Sequence, residues 1–275
     1  MSLADAFMYQ GKRALVVGGA TGMGAAVAEL VKDAGAEVIV MDRAEVKLGG
    51  VKTVQLDLSD KASIEAASDE VDAPIHALFS CAGVADGTPG IERINFIGHR
   101  HLIDKLLRDQ KLPRGSAIGM ISSAAGLGWE ANLEQLQEFL DVTEFDEATE
   151  WIAQHLKADY MFSKQAINAY VAREAFRLLK EGIRINAILP GPTDTPLAQA
   201  NADLWLTFGS DFRSEVGIVA STPLEQAYPL VFLCSDAASG VTGITMVTDA
   251  GYVSSGVTGS FPNASPAVNF LRGIY

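Results

Sequence analysis

Lys12-Arg13-Ala14-Leu15-Val16-Val17-Gly18-Gly19-Ala20-Thr21-Gly22-Met23-Gly24 is an apolar, β-branched run that gives way to a glycine cluster. The run shows no polar alternation, which is the pattern of a strand covered on both faces, as in a parallel sheet. Residues 25–34 then read as a helix of small, good helix formers with Val27, Leu30 and Val31 on one face. Strand, glycine turn and helix in that order make a dinucleotide-phosphate site. The glycines let the backbone approach a pyrophosphate closely, and the helix N-terminus offers it unpaired N–H groups and a positive dipole end.

Working outward, residues 36–41 form a second strand that ends at Asp42, about twenty positions past the glycines. A carboxylate there can accept both adenosine ribose hydroxyls and would repel a 2′-phosphate. Arg43 follows and can pair with a phosphate, but no Lys or Arg lies among the glycines. The expectation is NAD. Further strands are read at 51–56, 75–81, 116–121, 183–189 and 243–247, with helical patterns between them. Seven strands alternating with helices predict an α/β chain with a doubly wound seven-stranded parallel sheet, whose ligands sit beyond the carboxyl ends of the strands. The 275 residues suffice for one such domain, spanning 1–275.

The net charge of −13 argues against a nucleic-acid partner, which would require a basic face. Cys81 and Cys234 lie in apolar surroundings and suggest no disulfide framework; His76, His99, His101 and His155 lack metal-ligand spacing, so no metal is expected. No apolar run reaches the length of a membrane span, and the first residues lack the basic region of a signal peptide. A cytoplasmic protein is expected, with no membrane partner.

Ala158-Asp159-Tyr160-Met161-Phe162-Ser163-Lys164-Gln165-Ala166 places Tyr160 and Lys164 four apart, on one face of a helix. A phenol titrates near ~10, and a fixed ammonium beside it favours the phenolate. Such a Tyr can pass a proton to or from an alcohol oxygen. Before it, residues 128–156 form an unusual stretch: eight acids lie in 128–155 with no Lys or Arg, and two apolar stripes with helical spacing run through it. These predict a helical insertion after strand five, either a solvated acidic excursion packed on the body by its stripes or a lid or interface modifier beside the site. Residues 197–221, with Leu204, Trp205, Leu206, Phe208 and Phe212, read as a lid over an apolar substrate. Thr222-Pro223-Leu224-Glu225 carries a capping-box pattern opening a helix. The tail, 252–275, is too apolar for a free terminus and is expected to dock, on this chain or on another subunit.

Taken together these motifs resemble the short-chain dehydrogenase/reductase family, single-domain type, over nearly the whole chain. Its Gly-x-x-x-Gly-x-Gly matches Gly18, Gly22 and Gly24; its adenine-contacting Asp matches Asp57; its helix Asn, catalytic Ser and Tyr-x-x-x-Lys match Asn95, Ser123, Tyr160 and Lys164; its Pro-Gly segment with a nicotinamide-binding Thr matches Pro190, Gly191 and Thr195. The cofactor-binding set expected from these motifs and their neighbours also includes Thr21, Met23, Asp42, Arg43, Leu58, Cys81, Ala82, Gly83 and Thr193. Val17 stands where the family usually has Thr, and Ser80-Cys81-Ala82-Gly83 replaces Asn-Asn-Ala-Gly, a departure that changes the side chains available to brace this loop. The long gap between Ser123 and Tyr160 is similar to the branch of bacterial 3α-hydroxysteroid dehydrogenase/carbonyl reductases.

The resemblance implies hydride transfer between NAD(H) and a secondary alcohol or ketone, with a bulky apolar substrate such as a hydroxysteroid. Tyr160 would be the general acid or base, Lys164 would lower its pKa and hold the ribose, Ser123 would bind the substrate oxygen, and Asn95 would support a proton-carrying water. A homodimer or homotetramer is implied, although the acidic insertion lies where the family's helices pair. The alternatives are an NAD-binding regulatory or scaffold protein, and an NADP-dependent carbonyl reductase.

Overall fold

Strands apolar on both faces must lie between two helical layers. The computed structural model describes residues 2–72 and 74–274; Tyr275 of the apolar tail lies outside these described residues. Seven parallel strands form one sheet: β1 (Arg13–Val17), β2 (Glu37–Asp42), β3 (Lys52–Gln55), β4 (Ala77–Ser80), β5 (Ala117–Ile121), β6 (Arg184–Pro190) and β7 (Thr245–Thr248). Their order is β3-β2-β1-β4-β5-β6-β7. The order reverses between β1 and β4, so a crevice opens above their carboxyl ends. The expected doubly wound sheet is therefore present.

Alternate residues of each strand feed opposite cores. Leu15, Val17, Ile39, Met41, Leu78, Ile118 and Met120 belong to one. Ala14, Val16, Val38, Val40, Phe79 and Ile121 belong to the other. The first face is covered by α3 (Lys61–Asp69), α4 (Gly98–Arg108) and α7 (Tyr160–Lys180); the second by α2 (Gly22–Asp33) and α11 (Pro223–Cys234). A short helix, α1 (Leu3–Phe7), precedes β1. The capping box opens α11 as expected: the Glu225 N–H donates to Thr222 Oγ1 at 3.2 Å, and the Thr222 N–H donates to Glu225 Oε2 at 2.7 Å.

The acidic insertion is helical, forming α5 (Leu133–Asp141) and α6 (Phe145–Gln154). Its stripes sink into the first core through Leu136, Phe139, Leu140, Phe145, Ala148 and Ile152, while its acids face outward. Phe139 packs on Phe96, Trp151 and Phe162. Buried Arg100 donates from α4 to the carbonyl of Val142 at 2.8 Å. The insertion thus clasps α4 and α7. Between β6 and α11 lie three short helices, α8 (Pro196–Gln199), α9 (Ala202–Trp205) and α10 (Ser210–Val216). The tail forms α12 (Tyr252–Thr258) and α13 (Ser265–Leu271), docked on its own chain through Phe212, Tyr252, Ala264 and Val268. Among the described residues no helix is long and apolar enough to cross a membrane, and no cluster of potential metal ligands occurs.

Candidate active site

At the end of β1 the chain turns through Gly18, whose φ of +83° favours glycine. A Cβ on Gly18 would lie 2.4 Å from Ala82 N, and one on Gly24 would lie 2.0 Å from Gly18 O. No other residue fits this crossing of turn, helix and β4 loop. Helix α2 begins at Gly22 and not at Ala25, because the last glycines already form its first turn. Thr21, its N-cap, makes no side-chain cap bond, so the first-turn donors face the cleft without a protein acceptor there.

This half of the cleft encloses about 260 Å³ and is lined by Gly18, Thr21, Gly22, Met23, Gly24, Asp42, Arg43, Asp57, Leu58, Cys81, Ala82, Gly83 and Thr195. Asp42 accepts from Ala20 N–H at 2.9 Å and from Ala44 N–H at 2.8 Å, which fixes its carboxylate at the end of β2. Asp57 accepts from both the N–H and the hydroxyl of Ser59, which hold its carboxyl below the usual range. Together, the glycine turn, the open helix end and Asp42 at the end of the neighbouring strand fit a dinucleotide's pyrophosphate and adenosine ribose.

The substrate half encloses about 440 Å³. The end of β5 brings Ser123 beside α7. Ser122 Oγ donates to the Lys164 carbonyl at 2.9 Å, and Asn168 Nδ2 donates to the Gly126 carbonyl at 2.8 Å. A Cβ on Gly126 would sit 2.8 Å from the Lys164 carbonyl oxygen, so glycine permits the approach. The Ser123 side chain faces the Tyr160 hydroxyl closely enough to favour its ionised form. Tyr160 is the first residue of α7, capped by Asp159, whose Oδ1 accepts from Phe162 N–H at 2.7 Å. Pro190, Gly191 and Thr193 line the same pocket; the Thr193 hydroxyl donates to the Gly191 carbonyl, and Thr195 caps α8. All the catalytic and cofactor-binding residues expected from the sequence except Asn95 thus line one cleft, whereas of the expected lid residues Leu206 does not line it and Phe212 packs into the tail instead.

Asn95 is completely buried, in a π-wound turn (Arg93–Ile97) ahead of α4. It accepts from Val84 N–H at 2.8 Å and donates to Val84 O at 3.0 Å and Ser163 Oγ at 3.2 Å. A Cβ on Gly83 would lie 3.5 Å from Asn95 Oδ1 and 3.6 Å from Lys164 Nζ, so the two polar groups flank this loop. His99, which sequence reasoning set aside, has Nε2 3.0 Å from the Ala82 carbonyl. Burial lowers its pKa to about 4, so it is neutral and this nitrogen carries the hydrogen. His99 and Asn95 together brace the loop at Cys81-Ala82-Gly83-Val84, in place of the family's Asn side chains.

One expectation is corrected. Lys164 does not pull the Tyr160 phenol down; the phenol is pushed up to about 12, mainly by burial, against the opposing effect of the Ser123 side chain and with the Asp86 charge adding to the rise. The reason is geometric. Lys164 Nζ donates to the Ile121 carbonyl at 3.0 Å and stands 5.4 Å from the centre of the phenol ring. Its own pKa falls to about 8 through burial. Asp86 was missed by sequence reasoning: its Oδ1 accepts from the Tyr160 backbone N–H at 2.6 Å, and it lines the pocket. Nothing in Val84-Ala85-Asp86-Gly87 signals this, because the partner is 74 positions away.

The sheet order and the cleft define a dinucleotide-binding protein of the Rossmann type. Comparison with known proteins narrows this. The family models described as short chain dehydrogenase and as Enoyl-(Acyl carrier protein) reductase match residues 12–133 and 143–253. The chain is 30% identical over 253 residues to a cis-4-hydroxycyclohexanecarboxylate dehydrogenase of Sinomonas cyclohexanicum, covering 87% of this chain and 95% of that one. It is 29% identical over 251 residues to the 3-alpha-hydroxysteroid dehydrogenase/carbonyl reductase of Comamonas testosteroni, covering 86% and 95%. The crystal structure of a 3-alpha-hydroxysteroid dehydrogenase from Pseudomonas sp. B-0831 complexed with NADH is similar, with 27% identity, a TM-score of 0.71 and coverage of 86% and 95%. The chain belongs to the short-chain dehydrogenase/reductase family, whose members are oxidoreductases that bind a nicotinamide cofactor.

Proposed function

We propose that this protein is an NAD-dependent dehydrogenase/reductase acting on a bulky apolar secondary alcohol or ketone, a hydroxysteroid or other alicyclic alcohol. The observation that carries it is the Ser123–Tyr160 pair, side by side in an apolar pocket that joins the glycine-lined cleft. When bound, nicotinamide supplies or takes the hydride at the substrate carbon. Tyr160 gives its phenolic proton to the carbonyl oxygen in reduction and accepts the hydroxyl proton in oxidation. Ser123 donates to the same oxygen as charge gathers there. Lys164 keeps a positive charge behind the phenol at neutral pH, since its pKa is about 8. With Tyr160 protonated and Lys164 charged, the free site is in the state that reduction requires. Asn95 supports the Gly83–Val84 loop and, as the resemblance implied, a route for protons beyond Lys164.

Asp42 at the end of β2, tied in place by two backbone N–H groups, supports NAD. Arg43, beside it in the cleft, favours NADP as the second reading. A scaffold without turnover would not need Ser123, Tyr160 and Lys164 brought together. Both relatives named above act, by their names, on ring-bearing compounds, which supports an alicyclic substrate. Two free cysteines suit a reducing cytosol. Phe176 and Leu179 stay exposed on the part of α7 that the insertion leaves uncovered, and support a homodimer or homotetramer. A panel of secondary alcohols and ketones, followed at the NADH absorbance band with each nucleotide, tests the proposal. Turnover of alicyclic alcohols with NAD, and weaker turnover with NADP, is expected. No turnover with either would refute the reading, and a preference for NADP would refute the cofactor assignment.

A further inference from the structure

The substrate pocket has two apolar walls from distant parts of the chain. One is the lid, with Leu204, Trp205 and Phe208; the other is Phe270 and Leu271, at the end of α13. The Trp205 ring packs on that of Tyr160 with centroids 5.0 Å apart, which places the lid wall directly beside the phenol.

Two close backbone approaches hold α13 in position. At its start, Ala264 and Val268 are fully buried, and Ser265 Oγ donates to the Gly256 carbonyl at 2.8 Å. A Cβ on Gly256 would come within 2.6 Å of Val268 Cγ2. At its end the chain crosses Gly128, which has a φ of +73°. A Cβ there would lie 2.6 Å from Leu271 O and 2.7 Å from the carbonyl carbon of Arg272. Gly128 opens the acidic insertion, so the insertion that clasps α4 and α7 also seats the tail.

We propose that α13 is a specificity-determining wall of the substrate pocket, in which Phe270 and Leu271, clamped by Gly128, hold the apolar part of the substrate remote from its reacting carbon. This rests on the reading of the site as an alcohol dehydrogenase. A single-ring alcohol with its carbinol at Ser123 and Tyr160 is held mainly by the lid wall beside the phenol. A fused-ring alcohol extends further and buries its second ring against the tail.

The test uses the full-length enzyme with cyclohexanol and the fused-ring alcohol 2-decalol as probes. The double variant Phe270→Ala/Leu271→Ala and, separately, Gly128→Ala are compared with the unmodified protein. The ratio of kcat/KM for 2-decalol to that for cyclohexanol is expected to fall by about tenfold in the double variant, mostly through KM. Gly128→Ala should lower the ratio in the same direction although both wall residues are intact. NADH affinity, read by fluorescence titration, should change by less than about twofold, since α13 is not part of the nucleotide half. A ratio unchanged or raised in the folded double variant overturns the proposal, as does a parallel loss of both alcohols and of NADH affinity. If the unmodified protein turns over neither alcohol with either nucleotide, the parent reading falls and this one with it.

Discussion

The nucleotide half of the cleft and the substrate half are held by different means. The first is made by strand ends and one glycine turn, with its close contacts between backbone atoms: Gly18 against Ala82, and Gly24 against Gly18. The second is made largely by side chains on segments that reach the site from far away in sequence: the lid helices α8 and α9 with Phe208 after them, the loop carrying Asp86, and α13. Backbone contacts fix a shape regardless of the surrounding side chains, whereas a side-chain wall changes with each substitution. A member of a family that binds one kind of cofactor can therefore vary its substrate while the nucleotide half remains the same.

The sharpest way to break this contrast is Gly24→Ala. The added methyl has no space beside the Gly18 carbonyl, so the turn must move. NADH binding should weaken by at least about tenfold and stability should fall by about 1–3 kcal/mol, read from the urea midpoint. Unchanged NADH affinity would show that the turn is less rigid than described. A smaller effect is expected from Asp42→Ala. Its carboxylate holds Ala20 and Ala44, and is the proposed acceptor for the adenosine ribose hydroxyls. The preference for NADH over NADPH should fall by about tenfold, since a hydrogen bond to a charged group is worth about 1.5–3 kcal/mol. An unchanged preference in paired titrations would remove Asp42 from that role.

The smallest effect separates charge from position in the substrate half. Asp86→Asn keeps an oxygen to accept from the Tyr160 N–H but removes the charge. That charge raises the pKa of the phenol, so its loss favours the phenolate and lowers the pKa. On the proposed mechanism oxidation needs the deprotonated phenol and speeds up as the pH rises. The pH profile for alcohol oxidation should therefore move to lower pH, by less than about one unit because Asp86 is solvent-exposed. A shift to higher pH would contradict the assignment.

The same contrast explains what the sequence revealed. The run at Arg13–Val17, the glycines behind it and the capping box at Thr222–Glu225 are local patterns, each set by the physics of neighbouring residues, and each is found where it was expected. Tyr160 and Lys164 were visible because their spacing is local. Their electrostatics were not. Whether an ammonium acidifies a phenol depends on burial and on where Nζ bonds, and here it bonds to Ile121 O. His99, Asp86 and the Phe270–Leu271 wall were missed for one reason: each meets its partner across a long stretch of chain, and neither side carries a signal of the other. Asn95 was recognisable only through family resemblance; a buried Asn in a π-wound turn looks, in sequence, like any polar residue in a helix.

The Tyr160 hydroxyl is the proposed carrier of the proton that accompanies hydride transfer. Tyr160→Phe removes that hydroxyl alone, and pre-steady-state reduction of an alicyclic ketone by bound NADH reads the transfer directly. The rate should fall by at least about a thousandfold, while NADH binds with unchanged affinity. A rate within a few-fold of the unmodified protein, with NADH still bound, would contradict the account.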